Sequence, residues 1–520
     1  MILPAPEAFD LPFSAWRPAQ TAAILQAFDS TRRVVGLQLP TGVGKSGVAV
    51  AVAQLLDRPA VILTSTKALQ DQYRETFAQV CDIRGMGNYA CLEAVQGFAH
   101  LFLGRRHVGC DEGPCRVGMT CDQKESGCSF FDAMRTAKDA PILVTSYANW
   151  IADLRFRKGM LGERPVVILD EAHDAPAQLA DNLHVKLAPW DLALPKHADV
   201  RTHSEWRNWA LREAVTRQAE IKQLRDVKKK LRLRRLVDTL TTVAHMGDDW
   251  VVWRTAKGVE FAPTAVAAYA ERYLFGEAGT AGTVVLLSAT ATPRVAEMLG
   301  VRSAARTWYS APSPFPVARR PIYTFQDTPK IRIDHRTSPE MIDWWVHRMD
   351  QWISRRKDRK GIIHTVSYAR QQLILSKSAY RGRMIAPTKA KDVPYAVEQL
   401  RTARRGAILI SPSVMTGFDF PYEDCEWQIL SKVPFPDTRS AIVKARVKDD
   451  PLYGPHTTMQ LLVQAAGRGM RAVDDRCETL IVDDHIHWFL GRYGDLAPDW
   501  FLEAVQPVTR MPAPASRLAP

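Results

Sequence analysis

Gly42-Val43-Gly44-Lys45-Ser46 follows a short apolar run at 33–39 and precedes an Ala/Val-rich stretch that reaches Leu56. Strand, glycine loop and helix in that order make a phosphate-binding device. The glycines let backbone N–H groups turn inward, and the helix N-terminus adds positive potential. With Thr41 leading in, the loop cradles phosphates, Lys45 reaches the β and γ phosphates and Ser46 holds Mg²⁺. Position 39, where such loops usually carry Gly or Ala, is Leu. A second pair, Asp170-Glu171, closes an apolar strand at 166–169. Asp170 therefore emerges at a strand's carboxyl end, where a sheet protein places a magnesium ligand. Glu171 is then the natural base for an attacking water. Taken alone, Asp-Glu at a strand end reads as a helix N-cap; the phosphate loop upstream reverses that preference. Near the C-terminus Gln464, Arg468 and Arg471 stand at i, i+4 and i+7, which predicts one helix face. Two arginines there suit a γ-phosphate and the charge of its transition state. The small residues Ala465, Ala466, Gly467 and Gly469 between them permit close approach to a neighbour.

These residues need a sheet to hold them. Apolar strands at 59–65, 166–169 and 283–287 alternate with helical stretches such as 67–80. That alternation predicts a parallel sheet covered on both faces. Two intervals interrupt it, one from about 87 to 140 holding most of the cysteines and a helical, basic one from about 185 to 258. Residues 201–235 carry 12 Lys or Arg against four Asp or Glu; the plain reading of such a run is a solvated helical face. A second α/β unit starts near 321, with strands at 361–366, 407–411, 427–430 and 479–482. The tail 506–520, with four prolines and no periodicity, predicts disorder.

The chain has 520 residues, a formal charge of +13 and 46% hydrophobic residues. That composition excludes bulk disorder and suits several domains. No apolar run approaches the roughly 18 residues of a membrane span, and the N-terminal sequence lacks the charged and apolar regions of a secretion signal. A cytoplasmic protein with no membrane partner is expected. Cys91, Cys110, Cys115, Cys121 and Cys128 crowd together while Cys81, Cys425 and Cys477 lie apart, a distribution that favours a metal site over disulfides. Zinc sites usually show two tight Cys-x₂₋₄-Cys knuckles, and only Cys110 to Cys115 is that close. The looser spacings to Cys121 and Cys128 suit a [4Fe–4S] cluster. Asp483-Asp484-His485-Ile486-His487 reads as a loop between the two units rather than a metal site.

The ordered set Arg17-Pro18-Ala19-Gln20, Pro40 to Ser46, Thr64 to Gln70, Asp170-Glu171-Ala172-His173, Ser288-Ala289-Thr290, Gly417-Phe418-Asp419-Phe420 and Gln464 to Arg471 resembles superfamily 2 iron–sulfur DNA helicases of the XPD/DinG type. Asn88-Tyr89-Ala90-Cys91 and Cys128-Ser129-Phe130-Phe131 resemble the borders of that family's cluster domain. The resemblance implies two RecA-like motor domains, with an iron–sulfur domain and a helical arch domain inserted in the first. Motor 1 is then expected at 1–87, 141–184 and 259–320, the cluster domain at 88–140, the arch at 185–258 and motor 2 at 321–505. It implies ATP and Mg²⁺ as cofactors, single-stranded and forked DNA as partners, a monomeric motor and 5′→3′ unwinding. A DNA-stimulated translocase that remodels protein–DNA complexes is the alternative. By the same resemblance Arg17 and Gln20 read adenine, and Thr41, Gly42, Val43, Gly44, Lys45 and Ser46 hold the phosphates and Mg²⁺. Asp170 shares the metal, Glu171 serves hydrolysis, Gly417 and Asp419 couple the two motors, and Gln464, Arg468 and Arg471 meet the γ-phosphate. Cys91, Cys115, Cys121 and Cys128 are the implied cluster ligands, with Cys110, which matches neither border, as the spare thiol.

Overall fold

The computed structural model describes residues 2–92, 108–118, 121–125, 127–196, 200–276, 281–328, 331, 337–415, 417–470 and 474–514. Strands β1 (Val34–Gln38), β2 (Ala60–Thr64), β3 (Cys81–Asp82), β4 (Ile142–Ser146) and β5 (Val166–Asp170) open the first domain. A small antiparallel sheet follows, β6 (Val185–Leu187), β7 (Trp250–Thr255) and β8 (Gly258–Pro263), in the order β6-β8-β7. Strands β9 (Thr283–Ser288) and β10 (Arg306–Ser310) then return to complete a seven-stranded sheet, β10-β1-β9-β5-β2-β4-β3. All of its pairings are parallel.

The side-chain period of two explains why its strands are apolar throughout. Val167 and Leu169 of β5 enter one core and Val166 and Ile168 the other. The helix Lys45–Leu55 is buried from Gly47 to Ala53, because the sheet lies under one side and neighbouring elements cover the other. A second all-parallel sheet is built from β11 (Ile322–Phe325), β12 (Gly361–His364), β13 (Met384–Ile385), β14 (Ile408–Ser411), β15 (Trp427–Leu430), β16 (Glu478–Ile481) and β17 (Val505–Val508). Its order is β13-β14-β12-β15-β16-β11-β17. Among the described residues no helix is long and apolar enough to cross a membrane.

Three expectations change here. The basic insertion is not purely helical: helices His203–Gln223 and Val227–Ala244 stand on β6-β8-β7, and the insertion runs on to Pro263. The alternating Trp250 to Pro263 segment closing on Lys257-Gly258 is a hairpin signal that the helical pattern before it obscures. The proline-rich tail is not disordered from 506, since Val505–Val508 pairs in parallel with β11 at the sheet edge. Pro507 is tolerated there because an edge strand has one unpaired side. The chain beyond β17 stays attached, with Met511 O accepting from Arg355 NH1 at 2.7 Å. Residues 515–520 lie outside the described residues. Finally, the helix Tyr453–Ala466 ends before Arg468, so Gln464 and Arg468 do not share a helix face.

Candidate active site

β1 runs into the phosphate loop without a break, as Leu39 N donates to Ser288 O at 2.9 Å. Leu39 itself is fully buried in the core beneath the loop. Gly42 and Gly44 both take left-handed backbone, with φ of 79° and 89°. A Cβ on Gly44 would also lie 2.7 Å from Gln20 Nε2, so glycine is required twice over. Gln20 is wedged under the loop, its Oε1 accepting from Arg17 N at 2.9 Å, and Arg17 donates to Gly42 O. The two residues expected at adenine thus also brace the loop. The helix Lys45–Leu55 begins at Lys45 and aims its positive end into the loop.

Asp170 ends the central strand β5 and is buried. Tyr73 Oη donates to its Oδ2 at 2.8 Å, Glu171 N to its Oδ1 at 2.9 Å, and Tyr147 Oη to its backbone carbonyl at 3.1 Å. Ser46 lies near enough to act on the same phenol, so one phenol neighbours the two expected Mg²⁺ ligands. A hydroxyl and a carboxylate oxygen converging in this way are the hard donors that Mg²⁺ takes. Burial, and then the Glu171 charge, push the Asp170 carboxyl up to about 6 against the pull of Lys45. Burial pushes Glu171 the same way, but Lys45, His173 and Arg468 together outweigh it and hold Glu171 well below the usual carboxylate range.

Lys45 Nζ lies 3.8 Å from Glu171 Oε1. Glu171 is held at φ 50°, a strained conformation for a residue with a side chain. His173 Nδ1 lies 2.8 Å from Ser288 Oγ and 3.3 Å from Glu171 Oε2, which ties the acidic pair to the end of β9. Sequence reasoning missed Tyr73 and Tyr147. Tyr73 carries no signal beyond its place in an amphipathic helix, and only the fold brings it under Asp170.

The second domain supplies Arg468. Its Nε donates to Met415 O at 3.1 Å and its NH1 to Phe418 O at 2.8 Å, with Asp419 Oδ1 at 3.4 Å. Its charge reaches Glu171 across the cleft. The end of the helix explains the small residues: a Cβ on Gly469 would sit 2.4 Å from Cys477 Sγ and 3.0 Å from Cys425 O. Gln464 lies in the last turn of the helix, half-buried. Arg471 lies outside the described residues. Gly417 takes left-handed backbone at φ 85°, leading into Asp419 beside Arg468. Phe420 is fully buried, so the phenylalanines flanking Asp419 alter packing around it.

Residues 14–196 match the family described as the type III restriction enzyme res subunit, and residues 351–504 match the helicase C-terminal domain family. The two matches fall on different parts of the chain, the first on the segment that opens the first parallel sheet and the second on most of the second sheet. Among solved structures an XPD helicase matches at 12% identity and TM-score 0.64, covering 95% of this chain and 100% of that chain. Xpd4 of S. tokodaii matches at 13% identity and TM-score 0.60 with the same coverage. At such identities the likeness is one of fold. No curated protein matches the sequence.

The five clustered cysteines lie between β3 and β4, where the helix Ser129–Asp139 buries Phe130, Met134 and Ala137. None of the five is in a disulfide. The thiols lie near enough to act on one another. Cys110 is hydrogen-bonded to Cys91 and Cys128, and those bonds, with burial, push its thiol far up. Cys115 is raised by burial and then by the neighbouring Cys121. The thiol expected to stand aside, Cys110, is therefore in the group.

Among the described residues only Asp483, Asp484 and His485 place three potential ligand atoms within 4.8 Å of one another. That trio is committed to the fold, with Asp483 Oδ2 accepting from Val433 N at 2.8 Å and Oδ1 from His485 N at 3.0 Å. The two insertions also touch: Arg235 pairs with Asp111 at 3.5 Å and Arg116 with Asp238 at 3.7 Å.

Proposed function

We propose that the chain is an ATP-dependent DNA helicase that translocates on single-stranded DNA and opens forked duplex with 5′→3′ polarity. The observation that carries this reading is that Lys45, Asp170 and Glu171 of the first domain lie together within reach of the charge of Arg468 of the second, which would make a nucleotide site that neither domain forms alone. Lys45 would take the β and γ phosphates, and Ser46 with Asp170 the Mg²⁺ that neutralises them. Glu171 would orient the attacking water. Arg468, with Gln464 and Arg471, would meet the γ-phosphate, while Gly417 and Asp419 would pass its loss to the second domain. Arg17 and Gln20 would face adenine. The test is ATPase activity on single-stranded DNA, duplex DNA and RNA side by side, with strand displacement on duplexes carrying a 5′ or a 3′ tail. Stimulated turnover without displacement would leave a translocase; no stimulation by any nucleic acid would defeat both.

The basic helix Val227–Ala244 is the candidate path for the strand. Arg232, Arg234 and Arg235 pair with Asp191, Asp238 and Asp111, and Lys228, Lys229 and Lys230 in the first turn of the helix are the probe. Changing all three to Glu should weaken single-strand binding and flatten its log–log salt dependence by about 2, at roughly 0.7 per phosphate contact. An unchanged slope in a fluorescence titration would make this helix a solvated face.

The same reading places a [4Fe–4S] cluster among the cysteines. Several thiolates gathered in one partly buried place are stable only with a cation to neutralise them, and the loose sequence spacing of Cys115, Cys121 and Cys128 suits a cuboidal cluster, which would brace this insertion. The proposed ligands are Cys91, Cys115, Cys121 and Cys128, with Cys110 the competitor for one of the four places. Anaerobically purified protein should hold about four iron and four sulfide per chain. Cys121→Ser should lose that iron and Cys110→Ser should keep it. Stoichiometric zinc would overturn the cluster, and iron loss in the Cys110 variant would reassign the ligands.

A further inference from the structure

The three residues that follow β9, Ala289, Thr290 and Ala291, present three carbonyls, and each receives a side-chain donor from a different element. Gln38 Nε2, at the end of the phosphate-loop strand, donates to Ala291 O at 2.8 Å. Gln460 Nε2, on the helix Tyr453–Ala466, crosses from the second domain to Thr290 O at 2.9 Å. Trp500 Nε1, also of the second domain, donates to Ala289 O at 3.3 Å. On the other side of the same segment, Ser288 Oγ accepts from Thr290 N at 3.1 Å and Ala291 N at 3.2 Å. That hydroxyl is also the partner of His173, which touches Glu171. A continuous set of polar contacts therefore runs from the carboxylate of the nucleotide site to the helix that precedes Arg468.

The seam around this bridge is only partly satisfied. Thr290 Oγ1, Thr292 Oγ1, Gln460 Oε1 and His456 Nδ1 are buried without a hydrogen-bond partner, and they come from the two segments that the Gln460 bond joins. A half-satisfied buried network is costly as it stands, and a small shift of one element against the other can exchange its partners. A contact between two moving domains is where such exchange has a use. A seam serving only to glue the domains together would pack apolar groups there instead.

We propose that Gln460 and Trp500 are positioning residues that carry the state of the nucleotide site, through residues 289–291, to the second domain, so that removing their donors uncouples ATP turnover from nucleic-acid binding. This rests on the helicase reading. Neither side chain touches the phosphate-loop residues, the acidic pair or Arg468 in any described hydrogen bond, so basal hydrolysis does not depend on them directly.

The test compares wild type with Gln460→Leu, which keeps the volume but loses the amide, and Trp500→Phe, which keeps a ring but loses the indole donor. ATP turnover is measured with and without a single-stranded oligothymidylate, alongside oligonucleotide affinity without nucleotide and thermal melting. Gln460→Leu should keep its basal kcat, its KM for ATP and its oligonucleotide affinity within about twofold, while stimulation of kcat falls at least about fivefold. Trp500→Phe should show a smaller loss in the same direction, and it carries the test should Gln460→Leu melt early. Stimulation kept within twofold in both variants would overturn the proposal, as would basal and stimulated rates falling together. A wild type that single-stranded DNA does not stimulate would defeat the helicase reading as well, whereas a stimulated wild type with fully stimulated variants would defeat this inference alone.

Discussion

Arg468→Ala should lower kcat for ATP about 10³-fold or more, the scale by which an arginine that stabilises phosphoryl-transfer charge accelerates such enzymes. Nucleotide binding should survive, because Lys45 and the loop backbone belong to the first domain. The guanidinium is oriented by two carbonyls, Met415 O at 3.1 Å and Phe418 O at 2.8 Å, and a planar fork can hold that pair of bonds while a third edge faces the cleft. Lysine cannot reproduce the geometry, so Arg468→Lys should recover little of the loss. Binding of a fluorescent ATP analogue together with single-turnover hydrolysis separates the two steps. Turnover within tenfold of wild type would remove Arg468 from the site.

Glu171→Gln should cost about 10² to 10⁴ in kcat, the range for a positioned general base, with ATP binding retained or tightened. The tightening follows from the pair at 3.8 Å. Glu171 and an incoming phosphate compete for the Lys45 ammonium, and glutamine does not compete as an anion. Hydrolysis and equilibrium binding should therefore move in opposite directions in this variant. Weakened ATP binding accompanied by near-normal turnover would show that Glu171 holds Lys45 in place and does not act on water.

The parts of this site that were legible in the sequence are those in which local order and chemistry coincide. Gly42 to Ser46 sits between a strand and a helix, and Asp170 ends a strand; both follow from short-range pattern and fold as expected. Contacts made over long sequence distance were not legible. Tyr73 reaches Asp170 only because β2 and β5 are neighbours in the sheet. The arginine helix was read too far because i, i+4, i+7 spacing carries no stop signal of its own, and Gly467 and Gly469 were read as sites of close approach when they also end the helix. The tail was misread because proline suppresses strand propensity except at an edge, and edge position is a property of the finished sheet.

The place of β9 and β10 has a consequence for how this chain emerges from the ribosome. β1 has only two neighbours in its sheet, and they are these two late strands. More than 240 residues separate Gln38 from Thr283, which at about 5 to 20 residues per second takes on the order of 10 to 50 s to synthesise. Throughout that interval the strand bearing the phosphate loop has no edge to pair with, and its apolar helix Lys45–Leu55 has no finished sheet to cover. Both insertions leave the ribosome before it closes. The nascent chain therefore passes through a stage in which its cysteine-bearing and basic modules are complete but its nucleotide pocket does not exist, and in which an unpaired Val-Val-Gly-Leu-Gln strand is the segment most in need of a chaperone.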